Sequence, residues 1–324
     1  MKIIYSCPFV PAEWIKAYGI SPSRIMPRSM QAQPMVEIAP GMCPYVHAFI
    51  NAAISHREAA GIVVTTLCDQ MRRASEIIER NCGLPVFLMN VPSTWQTPNA
   101  QKLYISELER LGRFMTGLGG VSPTPDQLTE VMCEYDEMRD AVRGACGHLL
   151  ARKYSELMAD FHENGIVDTT TKSEKIPNGV PLALVGGPLL RDHFAVFDFA
   201  EQAGGDFVLD ATETGERTMP APFDRRRLKD DPLMALADAY FGNIPDASRR
   251  PNSELYKWLG HEIKTRGIRG IVFRRYVWCD MWHAEAQRMK EWAGLPFLDL
   301  DVSDDVNELS RMSTRLQAFM EMLT

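Results

Sequence analysis

The chain has 324 residues, 45% of them hydrophobic and 24% charged, enough for roughly two packed domains at about 150 residues each and too apolar to be disordered or fibrous. Its 35 Lys and Arg against 42 Asp and Glu leave a net charge of −7, so the charge balance gives no reason to bind nucleic acid or an anionic membrane. No apolar run approaches the roughly 18 residues of a membrane span, and the opening Met1–Trp14 stretch is broken by Pro8, Pro11 and Glu13 where a signal peptide would be continuous; a cytoplasmic protein is expected.

Short β-rich segments alternate with longer amphipathic ones, the pattern of βαβ units and a mostly parallel sheet. In the first half Lys2–Tyr5 reads as a strand, Glu13–Tyr18 as part of a helix, Pro44–Ser55 as a helix, Gly61–Thr66 as a strand, Gln70–Arg80 as a helix and Pro85–Met89 as a strand. Two long helical patterns follow, at Ala100–Thr116 and Pro125–Glu163. The run Asn164–Pro181 is poor in apolar residues and has turn formers at both ends, which predicts a linker and a domain boundary near residue 175, dividing the chain into 1–175 and 176–324.

The second half repeats the alternation. Strands are predicted at Leu182–Val185, Asp206–Leu209, Gly270–Arg274 and Pro296–Leu300, and helices at Leu190–Ala203, Pro232–Tyr240, Ser253–Arg266, Ala284–Trp292 and Val306–Leu323. The fold class that follows is α/β: two Rossmann-like (flavodoxin-like) domains with mostly parallel sheets and a cleft between them. Ligands of such sheets collect beyond the carboxyl ends of the strands, so strand-to-helix corners are where chemistry is sought.

Seven cysteines, an odd number without a secretory signal, fit a reduced compartment. Cys68 and Cys279 each end an apolar strand, each is followed by Asp, and Cys43 precedes Pro44 at a helix start. All three are therefore expected at helix N-termini, where the dipole and free N–H groups favour a thiolate. They either converge on one metal centre or are packed free thiols; their spacing is far wider than the CxxC pairs of zinc fingers and ferredoxins. Cys133 and Cys146 are placed within the long helix and Cys82 in a turn, as core or incidental thiols, while Cys7 ends the first strand.

At these residues the sequence resembles the 2-hydroxyacyl-CoA dehydratase D-component family, which also contains the benzoyl-CoA reductase subunits and the double-cubane cluster proteins. The likeness begins with Cys7-Pro8-Phe9-Val10-Pro11-Ala12-Glu13-Trp14 leading to Ala17-Tyr18-Gly19 and continues through Cys43-Pro44-Tyr45, Thr66-Leu67-Cys68-Asp69 and Asn90-Val91-Pro92. It closes with Cys279-Asp280, Glu285 and the stretch Ser313-Thr314-Arg315-Leu316-Gln317-Ala318-Phe319-Met320-Glu321-Met322-Leu323. The resemblance implies a [4Fe–4S] cluster between two α/β domains, held by Cys43, Cys68 and Cys279, with one iron left for a non-cysteine ligand. The double-cubane branch fits less well, because Asp210–Gly215 and Tyr240–Pro245 lack the further cysteines of that branch.

The chemistry the resemblance implies is reductive and radical. A separate ATP-hydrolysing iron–sulfur activator injects one electron, the thioester carbonyl of an acyl-CoA substrate becomes a ketyl radical anion, the 2-hydroxyl is eliminated and the electron is returned. A paralogous subunit completes the dehydratase, a carbon–oxygen lyase. A benzoyl-CoA-type reductase subunit, a non-catalytic electron-relay or structural subunit, and a zinc site on the same thiols are the alternatives. Acid–base candidates near such a cluster are Asp69, Asp280, His283 and Glu285, with Asp69 and Asp280 equally readable as helix caps and His47 on the same footing as His283. Arg72 and Arg73 are candidates to grip CoA phosphates, among other basic clusters at Arg225–Arg227, Arg249–Arg250 and Arg274–Arg275. Gly186-Gly187-Pro188 reads as a turn or a close backbone approach to phosphate. Trp278, Trp282 and Trp292 are expected to pack around the cluster. There is no Walker A sequence, so ATP hydrolysis is not expected of this chain.

Overall fold

The seven apolar runs predicted as strands, joined by one further strand, assemble into two four-stranded sheets in the computed structural model, which describes residues 1–29, 36, 41–168, 179–303, 305 and 307–323. The first sheet holds β1 (Lys2–Tyr5), β2 (Ser21–Arg24), β3 (Gly61–Thr65) and β4 (Val86–Met89) in the order β2-β1-β3-β4. The second holds β5 (Val180–Gly186), β6 (Gly205–Ala211), β7 (Gly270–Tyr276) and β8 (Phe297–Val302) in the order β6-β5-β7-β8. Every pairing is parallel. Counted from its own first strand, each sheet runs 2-1-3-4, the order of the first four strands of the flavodoxin type.

The helices are α1 (Ala12–Ala17), α2 (Pro44–Ser55), α3 (Asp69–Cys82), α4 (Pro98–Gly117), α5 (Pro125–Gly144), α6 (Ala151–Asn164), α7 (Ala195–Gln202), α8 (Arg225–Asp230), α9 (Pro232–Ala237), α10 (Ser253–Thr265), α11 (Asp280–Ala293) and α12 (Glu308–Glu321). Their starts follow local chemistry. Thr97 accepts the Ala100 N–H ahead of α4, and Thr124 with Gln127 forms a reciprocal cap ahead of α5, each followed by proline in the first turn. In α3 the buried residues Met71, Ala74, Ser75 and Ile78 recur at three- and four-residue steps, and Gly83 ends the helix in the left-handed conformation at φ 68°.

Several expectations are corrected. The pattern predicted as one helix over Pro125–Glu163 is two, α5 and α6, separated by a turn that carries Gly147. Cys146 therefore lies in that turn, and Cys82 is the last residue of α3 where a turn had been expected. Strand β2 and helix α8 were not predicted. The Leu190–Ala203 pattern opens with a 3-10 turn over Arg191–Phe194, and the Pro232–Tyr240 pattern passes into a π-helical turn over Asp238–Gly242. The boundary near residue 175 and Val306 lie outside the described residues.

Both faces of each sheet are covered. Ile4, Ile62 and Val64 of the first sheet share one apolar core with Leu182, Leu184 and Val272 of the second. Opposite, Ile3 and Val63 pack with Leu108, Leu111 and Met132 of α4 and α5, while Val185 and Phe273 pack with Leu255, Leu259 and Met289. The second half returns to the first: Phe223, Leu228, Leu236 and Phe241 enter the core beneath α4 and α5, Tyr104 stacks on Phe241 at 4.6 Å, and Tyr240 donates to Glu13 at 2.7 Å. Glu13 also accepts from buried Arg139 at 2.5 Å. Among the described residues no helix is long and apolar enough to cross a membrane.

Candidate functional site

The carboxyl ends of β1, β3, β5, β6 and β7 surround one cavity with about 650 Å³ of empty space counting its mouth. Cys7 reaches it from the exit of β1, Cys68 from β3, Glu213 from β6 and Cys279 from β7, with Cys43 contributed by the start of α2. Both sheets thus deliver strand exits to the same place, the position where open α/β sheets bind ligands.

Cys43, Cys68 and Cys279 are the residues immediately preceding α2, α3 and α11, as the sequence predicted. The helix-terminal N–H groups act in the expected direction: those of Val46 and Tyr45 favour the Cys43 thiolate, those of Met71 and Gln70 that of Cys68, and that of Trp282 that of Cys279. Burial outweighs them. It pushes Cys43 up to about 11, raises Cys68, and pushes Cys279 up to about 12 with the neighbouring Cys43 adding to the rise. Near neutrality the three are thiols, and a metal binding there would displace their protons. Among the described residues no three His, Cys, Asp or Glu side chains close to the spacing of ligands on one metal ion.

Gln70, in the first turn of α3, bridges two of these segments. Its Oε1 accepts the Cys43 N–H at 2.5 Å and its Nε2 donates to the Trp278 carbonyl at 2.8 Å. Trp278 is 61% exposed and holds φ 66°, the left-handed region that a bulky residue enters only under constraint.

The wall contributed by the second half is acidic. Asp246 accepts from Arg217 at 2.5 Å and from the Ser248 N–H at 2.8 Å. Burial alone would raise Asp246, but Arg217 and Ser248 hold it below the usual carboxylate range. Glu213 is pushed up to about 7, by burial first and then by the Asp246 charge, against the opposing pull of Arg24 and Arg217. Phe9, Leu67, Met71 and Trp282 supply apolar lining, with Arg217 over the Trp282 ring at 5.1 Å. Sequence reasoning missed Glu213, Asp246 and Ser248; Glu213 lies just past β6, and Asp246 and Ser248 lie in the segment between α9 and α10.

The other predicted residues lie elsewhere. Asp69 and Asp280 are exposed, and Asp69 pairs with Arg72 at 3.3 Å. Arg73 and His283 are exposed as well. Glu285 is buried but turned to α10, accepting from Asn252 at 2.7 Å and Tyr256 at 2.5 Å. Of the three tryptophans only Trp282 lines the cavity; Trp292 packs edge-on against Tyr256. Arg249 is enclosed by the rings of Phe9, Trp95 and Phe241, and Arg274 is buried against His193. Gly186 is a packing requirement: a Cβ there would stand 1.9 Å from the Arg274 carbonyl oxygen.

The model of the family described as "2-hydroxyglutaryl-CoA dehydratase, D-component" matches residues 7–323. No curated protein matches the chain. Among solved structures, similar chains include the Mn-bound periplasmic metal binding protein from Candidatus Liberibacter asiaticus, 9% identical over 100% of this chain and 99% of that one with a TM-score of 0.26. Another is FpvC from Pseudomonas aeruginosa in complex with Mn2+, 11% identical over 100% and 98% with a TM-score of 0.25. At those scores the likeness assigns neither fold family nor function.

Proposed function

Because the chain belongs to the 2-hydroxyglutaryl-CoA dehydratase D-component family, we propose that it is an iron–sulfur subunit of a 2-hydroxyacyl-CoA dehydratase-like lyase, acting with a paralogous subunit and an ATP-dependent activator. The support is the meeting of Cys43, Cys68 and Cys279 at one cavity fed by strand exits of both sheets. A donor set of three thiols suits a soft, thiolate-ligated group. A [4Fe–4S] cluster held by them would supply one-electron reduction.

The chain's own groups would do the rest. Phe9, Leu67 and Trp282 exclude water from the acyl group. Glu213, poised near neutrality, is placed to hold or release a proton at the cavity. Arg72 and Arg73, exposed near the start of α3, are available to CoA phosphates.

The test is anaerobic purification with iron, acid-labile sulfide and EPR analysis of wild type and of Cys43→Ala, Cys68→Ala and Cys279→Ala, followed by assay with 2-hydroxyacyl-CoA, partner subunit and activator. About four irons and four sulfides, lost in each variant, with 2-enoyl-CoA formed by the wild type, is the expected result. A colourless, iron-free wild type overturns it.

A further inference from the structure

Gln70 touches all three cysteine-bearing segments. Its backbone N–H lies against the Cys68 thiol, its Oε1 accepts the N–H of Cys43, and its Nε2 donates to the carbonyl of Trp278, the residue before Cys279. A carboxamide is suited to this, since it ends in one acceptor and one donor. Cys43 and Cys68 belong to the first half of the chain and Cys279 to the second, so the side chain spans the seam between the two sheets. The Trp278 conformation at φ 66° needs several constraints to persist. The neighbouring bonds are Val277 N–H to the Val302 carbonyl at 2.9 Å and Cys279 N–H to the Tyr276 carbonyl at 3.2 Å; both lie within the second half. The Gln70 bond refers this turn to the other two cysteines.

We infer that Gln70 is a positioning residue, a carboxamide latch that sets where Cys279 stands relative to Cys43 and Cys68. The inference rests on the reading of these three thiols as cluster ligands. Outer-shell partners of this kind commonly change metal affinity 10–100-fold when removed, although they touch no metal.

Two variants separate the latch from general stability. Gln70→Ala removes both side-chain bonds; Gln70→Glu keeps an acceptor for the Cys43 N–H and sets an oxygen against the Trp278 carbonyl. In anaerobically purified protein both are expected to lose iron to a chelator about 10–100-fold faster than wild type and to shift the EPR signature of the reduced cluster, with thermal unfolding of the iron-free forms nearly unchanged. Wild-type chelation rates and spectra in both variants would overturn the latch. A second measurement uses no iron: bis-maleimide linkers of graded length, each end adding to one thiol, are applied to iron-free protein and the Cys43–Cys279 cross-link is read by peptide mass spectrometry. The shortest effective linker should lengthen in Gln70→Ala. If the wild type holds no iron, the cluster reading fails, and the linker series alone decides the latch: an unchanged length overturns it and a longer one supports it.

Discussion

Arg217 donates to the Asp246 carboxylate at 2.5 Å with both side chains almost wholly removed from solvent, Asp246 standing in the wall of the cavity and Arg217 behind it. Arg217 also donates to the carbonyls of Ala211 at 3.0 Å, Pro245 at 2.6 Å and Gly186 at 3.3 Å, tying the exits of β5 and β6 to the Asp246 turn. Breaking a buried pair by removing one partner strands the other's charge, at a cost of about 3–5 kcal/mol. Asp246→Asn should therefore be strongly destabilising in urea titration. The double variant Asp246→Asn, Arg217→Met should cost less than the sum of the two single changes; simple additivity would count against the pair.

Glu213 gives a pH signature. The folded carboxyl holds its proton up to about 7, whereas an unperturbed one releases it near 4.5. Between those values the folded state binds more protons than the unfolded, so stability falls as pH rises through the window and levels off above it. Glu213→Gln cannot ionise and should not show this fall. Its melting temperature should match wild type near pH 4.5 and exceed it by roughly 2–4 °C at pH 8 for each ~1 kcal/mol recovered. Parallel melting curves at all pH values would contradict the assignment.

Gly186→Ala should be among the least tolerated single-methyl additions in the chain. The new Cβ would meet the Arg274 carbonyl oxygen at 1.9 Å, and that oxygen belongs to the paired strand β7, which cannot withdraw as a flexible side chain can. Overpacking of this kind costs about 1–3 kcal/mol or more. Soluble yield and melting temperature measure it; a variant with wild-type values would refute the close approach.

Cys7 lines the same cavity as the other three thiols, but it does not directly precede a helix, α1 starting only at Ala12, and the Thr65 side chain hydrogen-bonds to it. Cys7→Ser is expected to retain the full iron content while Cys43→Ser, Cys68→Ser and Cys279→Ser each lose it. Iron loss in Cys7→Ser would make it a fourth ligand.

The sheet-forming runs were legible because both faces of each sheet are buried, so strands such as Ile62-Val63-Val64 read as continuous apolar segments. Strand β2, Ser-Pro-Ser-Arg, was not: it lies at the sheet edge, where proline is tolerated and no apolar run is required. The three cysteines were found because each sits at a local strand-to-helix or loop-to-helix corner, a feature carried by a few adjacent residues. Glu213, Asp246 and Ser248 have no such local mark; only tertiary convergence brings them together. Asp69, His283 and Glu285 were chosen by nearness in sequence to a cysteine, and a helix turns such neighbours to different sides, Glu285 toward Tyr256 and His283 toward solvent.

Residues 223–244 leave the second half and lie beneath α4 and α5, so the two sheets are stitched together and neither owns a complete interior. A chain severed between residues 168 and 179 would part Tyr104 in one fragment from Phe241 in the other and uncover the apolar faces that these two rings close. Such fragments should be insoluble when expressed singly and recover a native complex when made together. The intact protein should melt in one cooperative transition, with the thiol cavity a fixed seam between interlocked parts.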